Sequence, residues 1–449
     1  MKLTILLMLI LMGIGASAND GYQPRPLQYK GKDIFILGNW DLRWGTDKND
    51  HGINPFLQQA GANCYFRHLR LSKPEELKKE MEIIKWFNRH RPEITIVVGL
   101  DLQFILKNAG EKKFIPVPAN ELPERRASFR KVLTELSKLD NVIGYYVDEL
   151  ENRLHGTYGE WKKTQKLADT EMDIGLTRYM ETAIAWIIED IKTYHPGAYF
   201  MPVQAWWTTY DQSDKLYDVL VANQYPSKTR LQSDTDMYSV AYDAQKAAEA
   251  VKKLNKQCFI YCPAGFDILG SQWENTKYDI DDIRYMWFMP ITYGAQGIMG
   301  WRMFRCSDQF AKTIILPVIN EISALTPWFL GERMDKQIKC SNEGWTEYKV
   351  RRRSRMMGSE DEEFDIRKVK TITYILRRNP ADQSILMLAA NNSSREESAL
   401  FTLKDLSCNY ALDLSNGQRM GFKGNIRVKF APFSVRAYLI SDAPNFRKP

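Results

Sequence analysis

The feature that most restricts this chain is a recurring order of elements, with no repeated sequence behind it. From Asp33 onward a short β-branched or aromatic run gives way to a loop, then to apolar positions at helical spacing, and the cycle returns until Gly331. The runs that read as strands are Asp33 to Trp40, Cys64 to Arg70, Ile94 to Asp101, Val142 to Val147, Tyr199 to Ala205, Asp218 to Tyr225, Cys258 to Cys262 and Gly297 to Trp301. Helical patterns cover Asn54 to Ala60, Ser72 to His90, Pro123 to Leu139, Thr177 to Tyr194, Tyr238 to Leu254, Asp281 to Tyr293 and Phe310 to Leu325. Ser72-Lys73-Pro74-Glu75 has the form of a capping box, and His195-Pro196-Gly197 stops a helix. Eight strands, seven of them followed by a helical pattern, fill the length of a (β/α)8 barrel. The spacing therefore predicts an α/β chain built on a TIM barrel, with an open doubly wound sheet as the competing arrangement.

Beyond Gly331 helical spacing gives way to alternation, in Lys370 to Arg377, Ser384 to Ala390, Ala399 to Leu403, Tyr410 to Leu414, Ile426 to Phe430 and Ser434 to Ile440. Asn416-Gly417 is a hairpin turn signal. The barrel is thus expected over 19–331, with a small antiparallel β-sandwich domain over 332–449. Arg351 to Arg355 followed by Glu360 to Asp365 reads as one solvated loop or hairpin, and Asn391 and Asn392 match the glycan acceptor pattern.

The chain opens with Lys2, an apolar run from Leu3 to Ile14, and Ala16-Ser17-Ala18. This order predicts that 1–18 is a signal peptide and that the protein is exported, to the periplasm or beyond. The apolar run is short for a membrane span, and no later stretch is a better transmembrane segment. A net charge of +7 is spread along the chain without a basic stripe, which argues against nucleic acid. The six cysteines lack zinc-ligand spacing and read as buried free thiols. With five histidines in the whole chain, no metal is expected, and no cofactor motif stands out. The sequence leaves the oligomeric state open. Twelve tryptophans and 22 tyrosines exceed what a core demands and supply flat amphipathic faces.

A barrel gathers the carboxyl ends of its strands at one mouth, where barrel enzymes work. Those ends carry Trp40 and Asp41, His68 and Arg70, Asp101, Asp148 and Glu149, Gln204 and Trp206, Gln224 and Tyr225, Asp267, and Trp301 and Arg302. At the centre is Asn141-Val-Ile-Gly-Tyr-Tyr-Val-Asp-Glu-Leu150, an apolar strand ending on two adjacent acids. A structural reading would make Asp148 a cap and give Glu149 an arginine partner. The set contains no Ser-His-Asp triad, His-Glu-x-x-His motif or phosphate loop. Carboxylates among aromatics suit cleavage of a glycosidic bond: one acid protonates the leaving oxygen while a second attacks, activates water or steadies the cation-like centre. Tryptophan and tyrosine faces would bind the sugar, with arginine and glutamine on its hydroxyls. A carboxyl group desolvated beside another acid favours its neutral form, as a proton donor requires.

Gly144-Tyr-Tyr-Val-Asp-Glu149 on strand four, Gln224-Tyr-Pro226 on strand six and Gly294-Ala-Gln-Gly-Ile-Met-Gly-Trp301 on strand eight carry a resemblance. With its leader and trailing sandwich, the chain resembles the (β/α)8 glycoside hydrolases of clan A, in the form exported by Bacteroidetes-like bacteria. The resemblance implies a glycoside hydrolase acting on an oligo- or polysaccharide, with Glu149 as acid/base and Trp301 as a platform for the reactive sugar. The clan's strand-seven glutamate has no counterpart, since Cys262-Pro-Ala-Gly-Phe-Asp267 stands there. Three sources of the second carboxylate stay open. Asp267 could supply it, Asp148 could pair with Glu149 as in hexosaminidases that use the substrate's acetamido group, or Asp148 could attack as in α-galactosidase-like barrels. A carbohydrate-binding barrel without catalysis and an interaction scaffold are the other outcomes.

Overall fold

A computed structural model describes residues 24–40, 59–110, 113–151, 154, 172–205, 207–224, 226, 235–267, 278–301, 306–351, 364–404, 406 and 408–443. Its centre is a ring of parallel strands: β1 (Ile36–Trp40), β2 (Cys64–Leu69), β3 (Thr95–Leu100), β4 (Val142–Tyr146), β5 in two pieces (Tyr199–Phe200 and Val203–Gln204), β6 (Leu220–Asn223), β7 (Phe259–Cys262) and β8 (Gly297–Gly300). β8 returns to β1, placing Gly297 opposite Ile36 and Gly300 opposite Asn39. The ring closes through β5, whose first piece pairs with β4 and whose second pairs with β6. Pro202, between the pieces, has no N–H to give the ladder. Its carbonyl still accepts from Val221 N–H at 3.3 Å, and Met201 N–H donates to Tyr145 C=O at 2.8 Å. The predicted closed barrel is formed, and the open sheet is not.

Helices wrap the ring: α1 (Pro74–His90), α2 (Leu122–Leu136), α3 (Met172–Tyr194), α4 (Thr235–Lys253), α5 (Ile280–Thr292) and α6 (Leu316–Phe329). In α1 the buried residues Met81, Ile83, Ile84 and Phe87 share the face turned to the sheet, and Pro74 occupies the first turn. The capping box expected at Ser72 does not form. Lys73 is the N-cap, and the Ser72 hydroxyl donates to Asp101 instead. α5 does begin with a capping box, made by Asp279 and Asp282. Among the described residues, no helix is long and apolar enough to cross a membrane.

Ahead of β1, Leu27–Tyr29 forms a hairpin with Lys32–Ile34. Arg25 N–H donates to Gln257 C=O at 2.8 Å, Gln257 Nε2 donates to Pro26 C=O at 2.7 Å, and the Tyr29 hydroxyl donates to Pro92 C=O. Pro92 and Gln257 precede β3 and β7, so this hairpin packs against the amino-terminal end of the barrel.

The change to antiparallel strands falls between Phe329 and Glu332. The strands are β9 (Glu332–Arg333), β10 (Ile338–Cys340), β11 (Trp345–Arg351), β12 (Phe364–Lys370), β13 (Ile372–Arg378), β14 (Ile385–Asn391), β15 (Glu397–Leu403), β16 (Tyr410–Asp413), β17 (Arg419–Gly421), β18 (Asn425–Phe430) and β19 (Val435–Ser441). A six-stranded sheet in the order β9-β13-β14-β19-β16-β17 faces a three-stranded sheet β10-β15-β18, which is the predicted sandwich. β11 and β12 pair antiparallel, with Arg351 opposite Phe364, and the rest of the basic and acidic runs lies outside the described residues. Alternation along β14 serves two cores at once. Ile385, Met387 and Ala389 pack inside the sandwich, while Leu386, Leu388 and Ala390 join the barrel's core. Hydrogen bonds secure the joint, from Tyr285 to Asn392 at 3.0 Å and from Thr292 to Thr373 at 2.7 Å. Asn391 and Asn392 are fully buried, and both side-chain amides donate to backbone carbonyls, so neither can accept a glycan. All six cysteines are free thiols, as expected.

Behind β5 and β6 lies a buried acid, Asp243 of α4, 2.9 Å from the Tyr210 hydroxyl. Burial pushes its pKa from 3.8 up to about 8, against the opposing effects of the Tyr210 hydrogen bond and the Arg367 charge.

Two outcomes are expected. Leu388→Ala should cost about 2–5 kcal/mol in urea unfolding, because the cavity opens where the two domains meet. Asp243 is neutral when folded and ionised when unfolded between roughly pH 4 and pH 8, so the folded state holds the extra proton. Its contribution is whole below that window and is lost as pH rises through it, by up to about 1.4 kcal/mol per pH unit. Asp243→Asn should flatten this part of the stability-pH profile and raise the melting temperature at pH 8 relative to the parent. An unchanged profile by thermal scans would show that Asp243 is ionised in the fold.

Candidate active site

Strand register decides which side chains reach the barrel interior, because laterally paired residues of parallel strands face the same way. On β2, the Tyr65 ring meets Phe87 of α1 at 5.5 Å and Arg67 pairs with Glu80 of the same helix, so both point outward. Phe66 and His68 therefore point inward. His68 lies beside Gly99 and Gly99 beside Tyr146. The Tyr146 ring lies so close over Gly99 that a Cβ there would come within 2.4 Å of it. One step up, Asp148 pairs with Val203, and Val203 with Val221. Asn223, two residues beyond Val221, pairs with Cys262, and Ala264 with Trp301. The upper interior thus holds Asp148, Asn223, Cys262 and Trp301. Trp301 is 4 % exposed.

Glu149 follows Asp148 with φ at +42°, in the left-handed region that a side chain with Cβ seldom adopts. Its N–H donates to Val203 C=O at 3.0 Å, and its Oε1 accepts from Asn223 Nδ2 at 2.7 Å. Burial raises the Cys262 thiol pKa well above its ordinary value, and the charges of Asp148 and Glu149 push it further. A neutral thiol thus stands where the resemblance called for a carboxylate. Glu151, fully buried one turn on, accepts from Ala205 N–H.

Several expected site residues have structural work. Asp267 is the clearest. Its Oδ1 accepts from Ser307 N–H at 2.7 Å and its Oδ2 from the Ser307 hydroxyl at 2.5 Å, tying the segment after β8 to the loop after β7. Asp101 caps the short helix Leu102–Ile105 through Gln103 N–H and accepts from Ser72, while Arg70 pairs with Glu76 at 2.9 Å near solvent. Gln204 lies in register with Ala222 and Tyr261, and Tyr261 reaches Val240 of α4, so Gln204 faces away from the interior. Its Oε1 accepts from Thr209 at 3.2 Å. Gln224 turns the same way, toward Ser239 of α4 at 3.5 Å. Trp40 ends β1. Trp206, Tyr225 and Arg302 lie outside the described residues.

The residues that sequence reasoning passed over are Asn223 and Cys262. Counting alternate positions up from Val221 selects Asn223 in place of Gln224, so the signal was the strand's own period of two.

No protein-family model matches the sequence, and no curated protein sequence matches it. Solved structures do. The chain is similar to a GH30 endoxylanase from Clostridium papyrosolvens C71, with TM-score 0.50, 10% identity, and 91% of this chain and 97% of that one covered. An Anoxybacillus α-amylase gives TM-score 0.50 at 9% identity, over 92% and 99%. A GH27 β-L-arabinopyranosidase from Geobacillus stearothermophilus gives 0.51 at 11%, over 95% and 98%. At such identities the likeness is one of fold alone.

Proposed function

We propose that this chain is a glycoside hydrolase that cleaves an oligo- or polysaccharide at the carboxyl end of the barrel strands. In this reading Glu149 is the proton donor and Asp148 the second carboxylate. The carrying observation is a pair of adjacent acids at the end of β4, the second in a left-handed backbone conformation and gripped by Asn223. Backbone strain of this kind gathers at working sites. Glu149 gives its proton to the glycosidic oxygen as the bond to the anomeric carbon breaks, and the bonding electrons leave with that oxygen. The developing positive charge is met by Asp148, directly or through an acetamido group that Asp148 orients. Water then adds to the anomeric carbon and returns a proton to Glu149. Asp267 ranks below Asp148 because Ser307 engages both of its oxygens. Trp301 is the sugar platform in this scheme. The leader-like residues 1–18 support action outside the cytoplasm.

A second reading has one observation in its favour: the neutral Cys262 at the place of the clan's nucleophile suits a barrel that binds carbohydrate without cutting it. A panel of aryl glycosides separates the two, since only the hydrolase releases the aryl group.

Glu149→Gln keeps the shape and removes the proton. It should lower the rate on an unactivated glycoside by about 10²–10⁴-fold, while substrates with a very acidic leaving group are largely spared in the cleavage step. Sugar affinity, measured by calorimetry, should change far less. Undiminished hydrolysis of the unactivated glycoside by this variant would remove Glu149 from the acid role.

A further inference from the structure

We propose that Asn223 is a specificity residue with two hands: Nδ2 holds Glu149, and Oδ1 receives an N–H or O–H of the bound sugar. The proposal rests on the glycosidase reading above and adds to it a requirement on the substrate. Asn223 closes β6, is 3 % exposed, and belongs by register to the interior set with Cys262. Its amide carries two N–H donors and one acceptor oxygen. The partner at 2.7 Å is Glu149 Oε1, which accepts from Asn223 Nδ2. That leaves Oδ1 buried and with no hydrogen-bond partner among the described residues. Buried polar atoms are nearly always paired, and an exception beside working acids is best accounted for by a ligand that supplies the missing donor. Cys262, its lateral neighbour, gives it none.

The required group is a donor on the sugar, either a hydroxyl or an acetamido N–H. A site with a buried acceptor rejects an analogue that lacks the matching donor, because the acceptor is then desolvated for nothing. Asn223 would therefore set specificity and hold the proton donor in place through one rigid amide. A ligand bonded to Oδ1 also fixes the amide plane, and with it the direction in which Glu149 is held.

The test pairs variants with substrate analogues. Starting from an aryl glycoside that the full chain cleaves, a monodeoxy series reads a hydroxyl donor, and an N-acetyl against an O-acetyl sugar reads an amide donor. The parent should penalise one analogue by about 10- to 100-fold in kcat/KM. Asn223→Ala should erase that penalty and leave the others standing, the signature of a direct pairwise interaction. Asn223→Asp, nearly the same shape, guards against a folding defect. It keeps the acceptor, so discrimination should persist, while its charge beside Glu149 moves the alkaline limb of the pH-rate profile to higher pH. Equal penalties for every analogue in parent and Asn223→Ala would overturn the proposal, as would Asn223→Asp losing discrimination while folded by circular dichroism. If the parent cleaves no glycoside, the glycosidase reading falls instead. Calorimetric binding of the same analogues then decides on Asn223, and a parent that binds none of them overturns both.

Discussion

The ladder between β4 and β5 is the constraint on which the rest of the barrel depends. β5 is interrupted by Pro202, yet it must join β4 on one side and β6 on the other. Met201 N–H donates to Tyr145 C=O at 2.8 Å, Val203 N–H to Val147 C=O at 2.9 Å, and Glu149 N–H to Val203 C=O at 3.0 Å. The last two bonds carry the pairing past Tyr146, the end of β4, and into the two acids. A left-handed non-glycine residue costs about 1–2 kcal/mol, and one hydrogen bond returns about 1. The N–H of Glu149 alone offsets much of that strain, and the Asn223 contact adds a second hydrogen bond. The same bonds that close the ring thus hold Glu149 at an angle the free chain would avoid.

The order of elements was plain in the sequence because a hydrophobic period is a long-range average, robust to single residues. Eight strands and the later alternation needed no register to be seen. Side-chain direction did need it. Gln204 and Gln224 sit at strand ends, as expected of site residues, but a shift of one position sends a side chain to the opposite face of the sheet. Asp101 and Asp267 show another limit. A carboxylate that caps a helix or fastens a loop has the same residue type and strand-end position as one that does chemistry, and only its partners separate the roles. The short helix and hairpin between β3 and α2, Leu102–Ile105 and Leu106–Gly110 with Lys113–Pro116, went unseen for a different reason. Elements this short carry too little periodicity to stand out from a loop.

Buried polar groups in this fold fall into paired and unpaired kinds, and the contrast is informative. Asp190, 1 % exposed at its side chain, is met by Arg126 at 2.5 Å and Arg130 at 3.0 Å, two cations that compensate its desolvation. Asp243 has no such partner at contact distance among the described residues and keeps its proton instead. Asn391 and Asn392 spend their amides on backbone carbonyls where strands turn.

β14 has a consequence for how a protein of this shape can change over generations. Its two faces belong to different cores, so the carboxyl-terminal domain is no detachable module. Recombination that swapped it for another β-sandwich would strip α5 of the wall it packs on and leave Tyr285 and Thr292 without Asn392 and Thr373. The two halves should therefore be exchangeable only as one piece.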